Sequence, residues 1–140
     1  MIRPIMTQRF FLQQPSDTAD ARDAADSAVA QDLADTLDAK RASCVGLAAN
    51  MIGKRKRIIA VLDGDGSVLV MFNPRLVRQE KPYATEEGCL SLPGTRPTTR
   101  YERIVVAYED AQARSQQRRF QGFVAQAIQH EIDHCNGILI

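Results

Sequence analysis

Gln129-His130-Glu131-Ile132-Asp133-His134, close to the end of a 140-residue chain, reads H-E-x-x-H. On a helix, side chains four residues apart lie on one face, one turn above the other. His130 and His134 can therefore aim two imidazole nitrogens at one metal ion. Glu131 follows the first His by one position, so it leans beside the ion, where a carboxylate can act as general base toward water. Two His at this spacing can also be a satisfied pair with no ligand. The composition weighs against that reading: the chain has two His, and both fall in the motif. A third ligand is required, and Cys89 in Glu86-Glu87-Gly88-Cys89-Leu90-Ser91 is the candidate. Two His, one Cys and an open fourth position make a hydrolytic metal site.

Outward from the motif, Phe123, Ala127, Ile128 and Ile132 give the same segment an apolar face. This predicts a helix over Phe123–Cys135, buried at the centre of the domain. Asn136-Gly137 is a stop signal, and Ile138–Ile140 are read as covering the core. Ile58–Leu62 and Val68–Phe72 are β-rich runs around Asp63-Gly64-Asp65-Gly66, a hairpin signal. Asn73-Pro74 is expected to end the second strand, Pro82 to break the chain, and Pro93-Gly94 to turn it. Leu76-Val77, Ile104–Tyr108 and Arg119–Phe123 supply further strands, with Gln112–Gln117 as a polar linker. Ser16–Arg41 reads as an amphipathic helix starting between Ser16 and Asp20, with Ala21, Ala25, Val29, Leu33 and Leu37 recurring every four residues and Ala28 and Thr36 widening the stripe. Asp17, Asp20, Asp23 and Asp26 crowd its start and Lys40 and Arg41 its end, which suits the helix dipole better than a metal site. Ile2–Pro15 is expected to be extended. The predicted fold class is α+β: antiparallel strands around a central C-terminal helix carrying H-E-x-x-H, plus an N-terminal helix, in one domain over residues 1–140.

Composition sets the outer limits. The chain is 44% hydrophobic and 25% charged, as in ordinary soluble domains. A net charge of +1 gives no reason to expect DNA or an anionic membrane as partner. No apolar run approaches the ~20 residues of a membrane span, and no secretion signal is evident. Three Cys without paired spacing suit a reducing compartment, hence the cytoplasm. Lys54-Arg55-Lys56-Arg57 reads as a solvated turn, with ribosomal RNA as the alternative. Small residues crowd Ser43–Gly53, where backbone can approach a ligand or another element closely. Cys44 and Cys135 are read as small core residues.

Three segments, Gly46-Leu47-Ala48-Ala49, Glu87-Gly88-Cys89-Leu90-Ser91 and Gln129–His134, resemble in order and spacing the three signature motifs of the peptide deformylases. A thermolysin-like protease fits less well. Such enzymes take their third ligand downstream of H-E-x-x-H, and only Cys135–Ile140 follow here. The resemblance implies that Cys89, His130 and His134 hold one divalent metal, Fe(II) natively, with Zn, Ni or Co able to replace it. A thiolate on Fe(II) implies oxygen sensitivity. It further implies Glu131 as catalytic acid/base and the Leu90 amide as a donor to the oxyanion. Val45 and Gly46 would run beside the peptide as an added strand, and Gln126, Ala127 and His130 would line the pocket for its first side chain. The implied activity is removal of the N-formyl group from the N-terminal formyl-methionine of nascent proteins, giving formate and a free amine. Its partners would be the N-formylated nascent peptide and, transiently, the ribosome.

The first motif departs from the family pattern G-x-G-L-A-A-x-Q. Cys44 stands at its first Gly and Met51 at its Gln, whose carboxamide donates to the oxyanion. A thioether cannot donate, and losing one such donor costs on the order of 10²–10³ in turnover. Three outcomes stay open: Asn50 supplies the amide after a register shift, the Leu90 amide suffices for a slower reaction or another N-blocked peptide, or the chain is a non-catalytic metal- or peptide-binding relative. The complete ligand set with Glu131 favours a slower deformylase. Arg96 is a candidate for a peptide carbonyl contact or a plain surface charge. Asp133 either orients a His or pairs with an Arg.

Overall fold

The computed structural model describes residues 1–139. A short helix α1 (Arg9–Leu12) precedes α2 (Ala24–Ala39). Strands β1 (Gly46–Ala48), β2 (Ile58–Leu62), β3 (Val68–Cys89), β4 (Leu92–Glu109) and β5 (Ser115–Gln121) follow, and α3 (Gly122–Cys135) comes last. The sheet is antiparallel throughout, with strands neighbouring one another in chain order. α3 packs against β1, β2, β4 and β5. Its Ala125, Ile128 and Ile132 are buried in one cluster with Leu47, Ile59, Ile104 and Val106. The α+β arrangement with the motif helix at its centre is thus as the pattern predicted.

The hairpin formed as expected, joining β2 to β3 at Asp63–Gly66. Prolines mislead elsewhere. β3 runs through Pro74 and Pro82, and β4 through Pro93 and Pro97. Beyond Phe72, β3 pairs with β4 alone, so one of its sides needs no N–H donor and proline is tolerated there. Register shifts at Phe72/Arg75 and Leu76/Arg78 absorb the bends. The linker expected at Gln112–Gln117 is shorter, because β5 already begins at Ser115.

α2 starts later than predicted. Asp23 is its N-cap, accepting from the backbone N–H groups of Ala25 and Asp26. Its buried face is Asp26, Ala30, Leu33, Thr36 and Leu37, whereas Ala25 is exposed and Val29 half-buried. A fixed spacing of four overshoots the 3.6-residue turn, so a stripe read that way drifts around the helix. Phe10-Phe11-Leu12 form a helical turn rather than an extended strip; Leu12 is buried and Phe10 is exposed. Phe123 does not join the apolar face of α3 but stands exposed at its start. Beyond α3, Gly137 packs so closely on the N-terminal segment that a Cβ there would lie 2.4 Å from the Gln13 carbonyl oxygen. Leu139 packs against the core and Ile138 is exposed; the expectation for Ile140 lies outside the described residues.

Candidate active site

Two strand ends and one helix build the site. Cys89 is the last residue of β3, and α3 presents His130, Glu131 and His134 to it. One ligand atom each from Cys89, His130 and His134 lie within 4.8 Å of one another. The two Nε2 atoms face each other at 3.1 Å. Two nitrogens of a tetrahedral ion at ordinary Zn–N distances stand about 3.3 Å apart, so this pair needs little movement to share a metal.

Charge points the same way. Burial alone would raise the Cys89 thiol, but hydrogen bonding to His130 and to the Ser91 and Leu92 amides holds it below its ordinary value. Burial would likewise raise Glu87, yet His130, Arg100 and Gln126 hold it down at about 2. His130, whose burial favours the neutral ring, is instead pushed up to about 10 by Cys89 and Glu87. A carboxylate and a thiol held below its ordinary value therefore converge on His130 and favour a positive charge there. Burial, with the charge of His130, drives His134 down to about 3, which leaves a neutral ring with a free lone pair. The donor set of one thiol and two imidazoles suits a divalent ion of borderline softness.

Glu131 is buried, and its Oε1 has no hydrogen-bond partner among the described residues. Burial pushes its carboxyl up to about 7. Gly46 lies directly against it: a Cβ at that position would stand 3.0 Å from Glu131 Oε2 and 3.2 Å from Val61 Cγ1. The glycine is therefore dictated by space, since a larger side chain would displace the carboxylate.

A cavity of about 500 Å³ opens over these groups. Val45, Gly46, Met51, Leu90, Gln126 and Ala127 all line it, together with Cys89, His130 and Glu131. β1 is an edge strand. The Val45 carbonyl accepts from Leu62 N–H at 2.9 Å, so strand alternation turns the N–H and C=O of Gly46 to the free edge. Cys44, read from sequence as a core residue, is half-buried and also lines the cavity. Its thiol donates to the Gly46 carbonyl at 3.0 Å, so a peptide N–H seeking that oxygen must displace it. Cys135, by contrast, is buried as expected.

The two residues in question at the first motif diverge. Met51 faces the cavity, and its Sδ accepts from Ala48 N–H at 3.5 Å. Asn50 turns the other way. Its amide donates to the His134 carbonyl at 2.9 Å and is fully buried. The register shift that would bring Asn50 into the cavity is not what the chain adopts.

Sequence reasoning missed the support beneath His130. The ring Nδ1–H donates to Glu87 Oε1 at 2.8 Å. Arg100 donates to both Glu87 oxygens and, at 2.6 Å, to Asp133 Oδ2. Gln126 Nε2 donates to Glu87 Oε2 at 2.8 Å, so the pocket wall shows a satisfied amide rather than a free one. The signal was present: Glu87 and Cys89 are two apart on a strand and share a face. Asp133 is settled as the partner of an arginine. Arg96, near the start of β4, donates from Nη2 to the Pro93 carbonyl at 2.9 Å, leaves its buried Nη1 without a partner among the described residues, and does not line the cavity. Arg100→Ala is expected to lower the unfolding free energy by about 3–5 kcal/mol, because it strands a buried carboxylate. Urea denaturation checks this, and a loss below about 1 kcal/mol would show that the network is dispensable.

Known proteins share both sequence and shape with this chain. The sequence model of the polypeptide deformylase family matches residues 3–140. A peptide deformylase of Clostridium beijerinckii is 49% identical over 140 residues, covering 100% of both chains. That of Dictyoglomus thermophilum is 39% identical, covering 80% of this chain and 72% of its own. Among solved structures, a Met-Ala-Ser-bound class I type b peptide deformylase of Acinetobacter baumannii superposes with a TM-score of 0.88 at 28% identity, covering 99% of this chain and 97% of that one. The peptide deformylase of Legionella pneumophila does so with a TM-score of 0.88 at 32% identity, covering 99% and 83%. No helix among the described residues is long and apolar enough to cross a membrane. With the H-E-x-x-H helix, the Cys89 strand end and full-length matches in agreement, the chain belongs to the peptide deformylase family.

Proposed function

We propose that this enzyme removes the formyl group from the N-terminal formyl-methionine of nascent proteins in the cavity between β1, the end of β3 and α3. The observation that carries the assignment is the convergence of Cys89, His130 and His134 within 4.8 Å, beside a buried carboxylate with an unpartnered oxygen. Those three residues would hold one divalent ion, Fe(II) in the cell. Bound there, such an ion supplies Lewis-acid polarisation of the formyl oxygen and of water at neutral pH.

The chain's own groups do the rest. The free edge of β1 at Gly46 offers an N–H and a C=O to the peptide backbone, which lies alongside as an extra strand. Ala127 and the methylenes of Gln126 form a wall for the methionine side chain. Gln126 does not spoil that wall, because its amide is already bonded to Glu87. Glu131 takes the proton of the attacking water on a carboxylate oxygen and returns it to the departing amine nitrogen. Formate and a free N-terminus leave. The backbone N–H of Leu90 donates to the oxygen on which negative charge gathers, and Met51 leaves the second donor position empty. Turnover is accordingly slower than a carboxamide at position 51 would give. The setting is the cytoplasm, with the ribosome as a transient neighbour.

A direct test of the ligand set is metal content. The chain refolded or purified under argon with Ni(II) or Fe(II) should bind one ion. Cys89→Ala and His134→Ala should each weaken binding by more than the roughly 10–100-fold that loss of a supporting contact costs. Unchanged affinity in both variants would place the ion elsewhere.

A further inference from the structure

The face of β3, β4 and β5 turned away from α3 is rich in arginine. Ile104, Val106 and Phe120 point inward and are buried, so alternation turns Arg103 and Arg119 outward. The register sets Arg78, Val105 and Arg119 in one row and Glu80, Arg103 and Gln121 in the next. Arg75 follows opposite Ala107. A shallow cavity of about 580 Å³ lies among the first two rows. Glu80 pairs with Arg78 at 2.7 Å. Arg75, Arg103 and Arg119 are exposed and have no carboxylate at ion-pair distance among the described residues.

The net charge of +1 conceals this face, because acids collect elsewhere: Asp26, Asp32, Asp35 and Asp38 are all on α2. The basic run that first suggested RNA is not an equivalent site. Arg55 donates to the Pro15 carbonyl at 3.0 Å, Lys56 faces Asp26 at 3.6 Å, and Arg57 donates to Asn136 Oδ1 at 2.9 Å.

We propose that the outer face of β3–β5 docks the phosphate backbone of RNA. A planar guanidinium matches phosphate in a fork; those of Arg75, Arg103 and Arg119 are not committed to carboxylates among the described residues, and Arg78 shares only the exposed pair with Glu80. Arg78 and Arg119 stand two strands apart, about 10 Å, so they reach separate phosphates rather than share one. Among the described residues a single large apolar side chain is exposed beside these rows, Val77 next to Arg78 at the register shift; Val105 is half-buried and Phe120 is turned inward. One valine is far less than the apolar face a lipid surface takes up, and the contact with a nucleic acid is to the backbone, independent of sequence. The choice of RNA over DNA rests on the proposed substrate, since a nascent peptide is held beside RNA where it is made.

Fluorescence anisotropy with a labelled RNA of about 20 nucleotides, titrated from about 50 to 200 mM salt, tests this. Three or four arginine contacts to a single strand predict a slope of log K against log salt of about −2 to −3. Arg103→Glu/Arg119→Glu is expected to weaken binding at least tenfold. Arg103→Gln/Arg119→Gln, which keeps polar side chains, is expected to bring the slope to about −1. Lys54→Glu/Arg55→Glu should bind as the parent does. Formate release from a free formyl-tripeptide should be the same in all forms and reports that each is folded. Four results would overturn the proposal: no RNA binding at about 50 mM salt, unaltered binding by Arg103→Glu/Arg119→Glu, equal or tighter binding of a DNA of the same sequence, or binding of anionic vesicles in its place. A chain that binds RNA as predicted but releases no formate would sink the substrate reading and leave the RNA contact standing, with the purified folded chain checked by circular dichroism instead.

Discussion

Glu131→Ala is expected to lower formate release from formyl-Met-Ala-Ser by about 10²–10⁴-fold while leaving the metal content unchanged. The two halves of that expectation come from different observations. Glu131 is not one of the three converging ligand atoms, so its loss removes no bond to an ion. It is nonetheless buried in the cavity wall, with Oε2 pressed against Gly46 and Oε1 free of any partner among the described residues. A buried carboxylate held without a partner is costly to folding, and its position beside Cys89, His130 and His134 supports the proposed role as proton carrier. Turnover within about tenfold of the parent would mean that another group moves the proton. Loss of metal along with activity would mean that Glu131 holds the site together rather than acting in it.

Met51→Gln is expected to raise turnover about a hundredfold. The thioether already accepts from the Ala48 N–H at 3.5 Å. A Gln oxygen can accept from the same N–H, which leaves its NH₂ free to donate into the cavity. Asn50 cannot compete for this role, because its amide is spent on the His134 carbonyl at 2.9 Å. The gain should fall on kcat rather than KM, since the donor meets charge that exists only in the transition state. An unchanged kcat would show that a donor other than a residue-51 carboxamide already serves the oxyanion.

Much of this arrangement was legible in local sequence. The H-E-x-x-H spacing and its apolar neighbours specify α3, and Asp63–Gly66 specifies the hairpin, because each depends on residues near one another in the chain. The strands through Pro74 and Pro82 were not legible. Whether a missing N–H matters depends on which side of the strand has a partner, and that is a tertiary fact. Glu87 could have been placed beside Cys89 from the two-residue strand period. Its partner Arg100 could not, because Arg96 is the residue opposite Glu87, and Arg100 stands four positions further along β4, opposite Tyr83. Cys44 shows the same limit: small and unbranched, it reads as core, yet the free edge of β1 leaves it at the cavity, bonded to Gly46. Asn50 and Met51 are neighbours in sequence but face opposite ways, and only the folded chain assigns the cavity to Met51.

The most direct test is formate release by the chain loaded anaerobically with Fe(II) or Ni(II), measured on formyl-Met-Ala-Ser beside Glu131→Ala with metal content determined in both. Formate and free amine appearing in equal amounts, and falling away in the variant at unchanged metal content, is the predicted result. Metal bound by the parent chain with no formate above the variant would contradict it and leave a cavity that binds peptide or metal without hydrolysing this substrate.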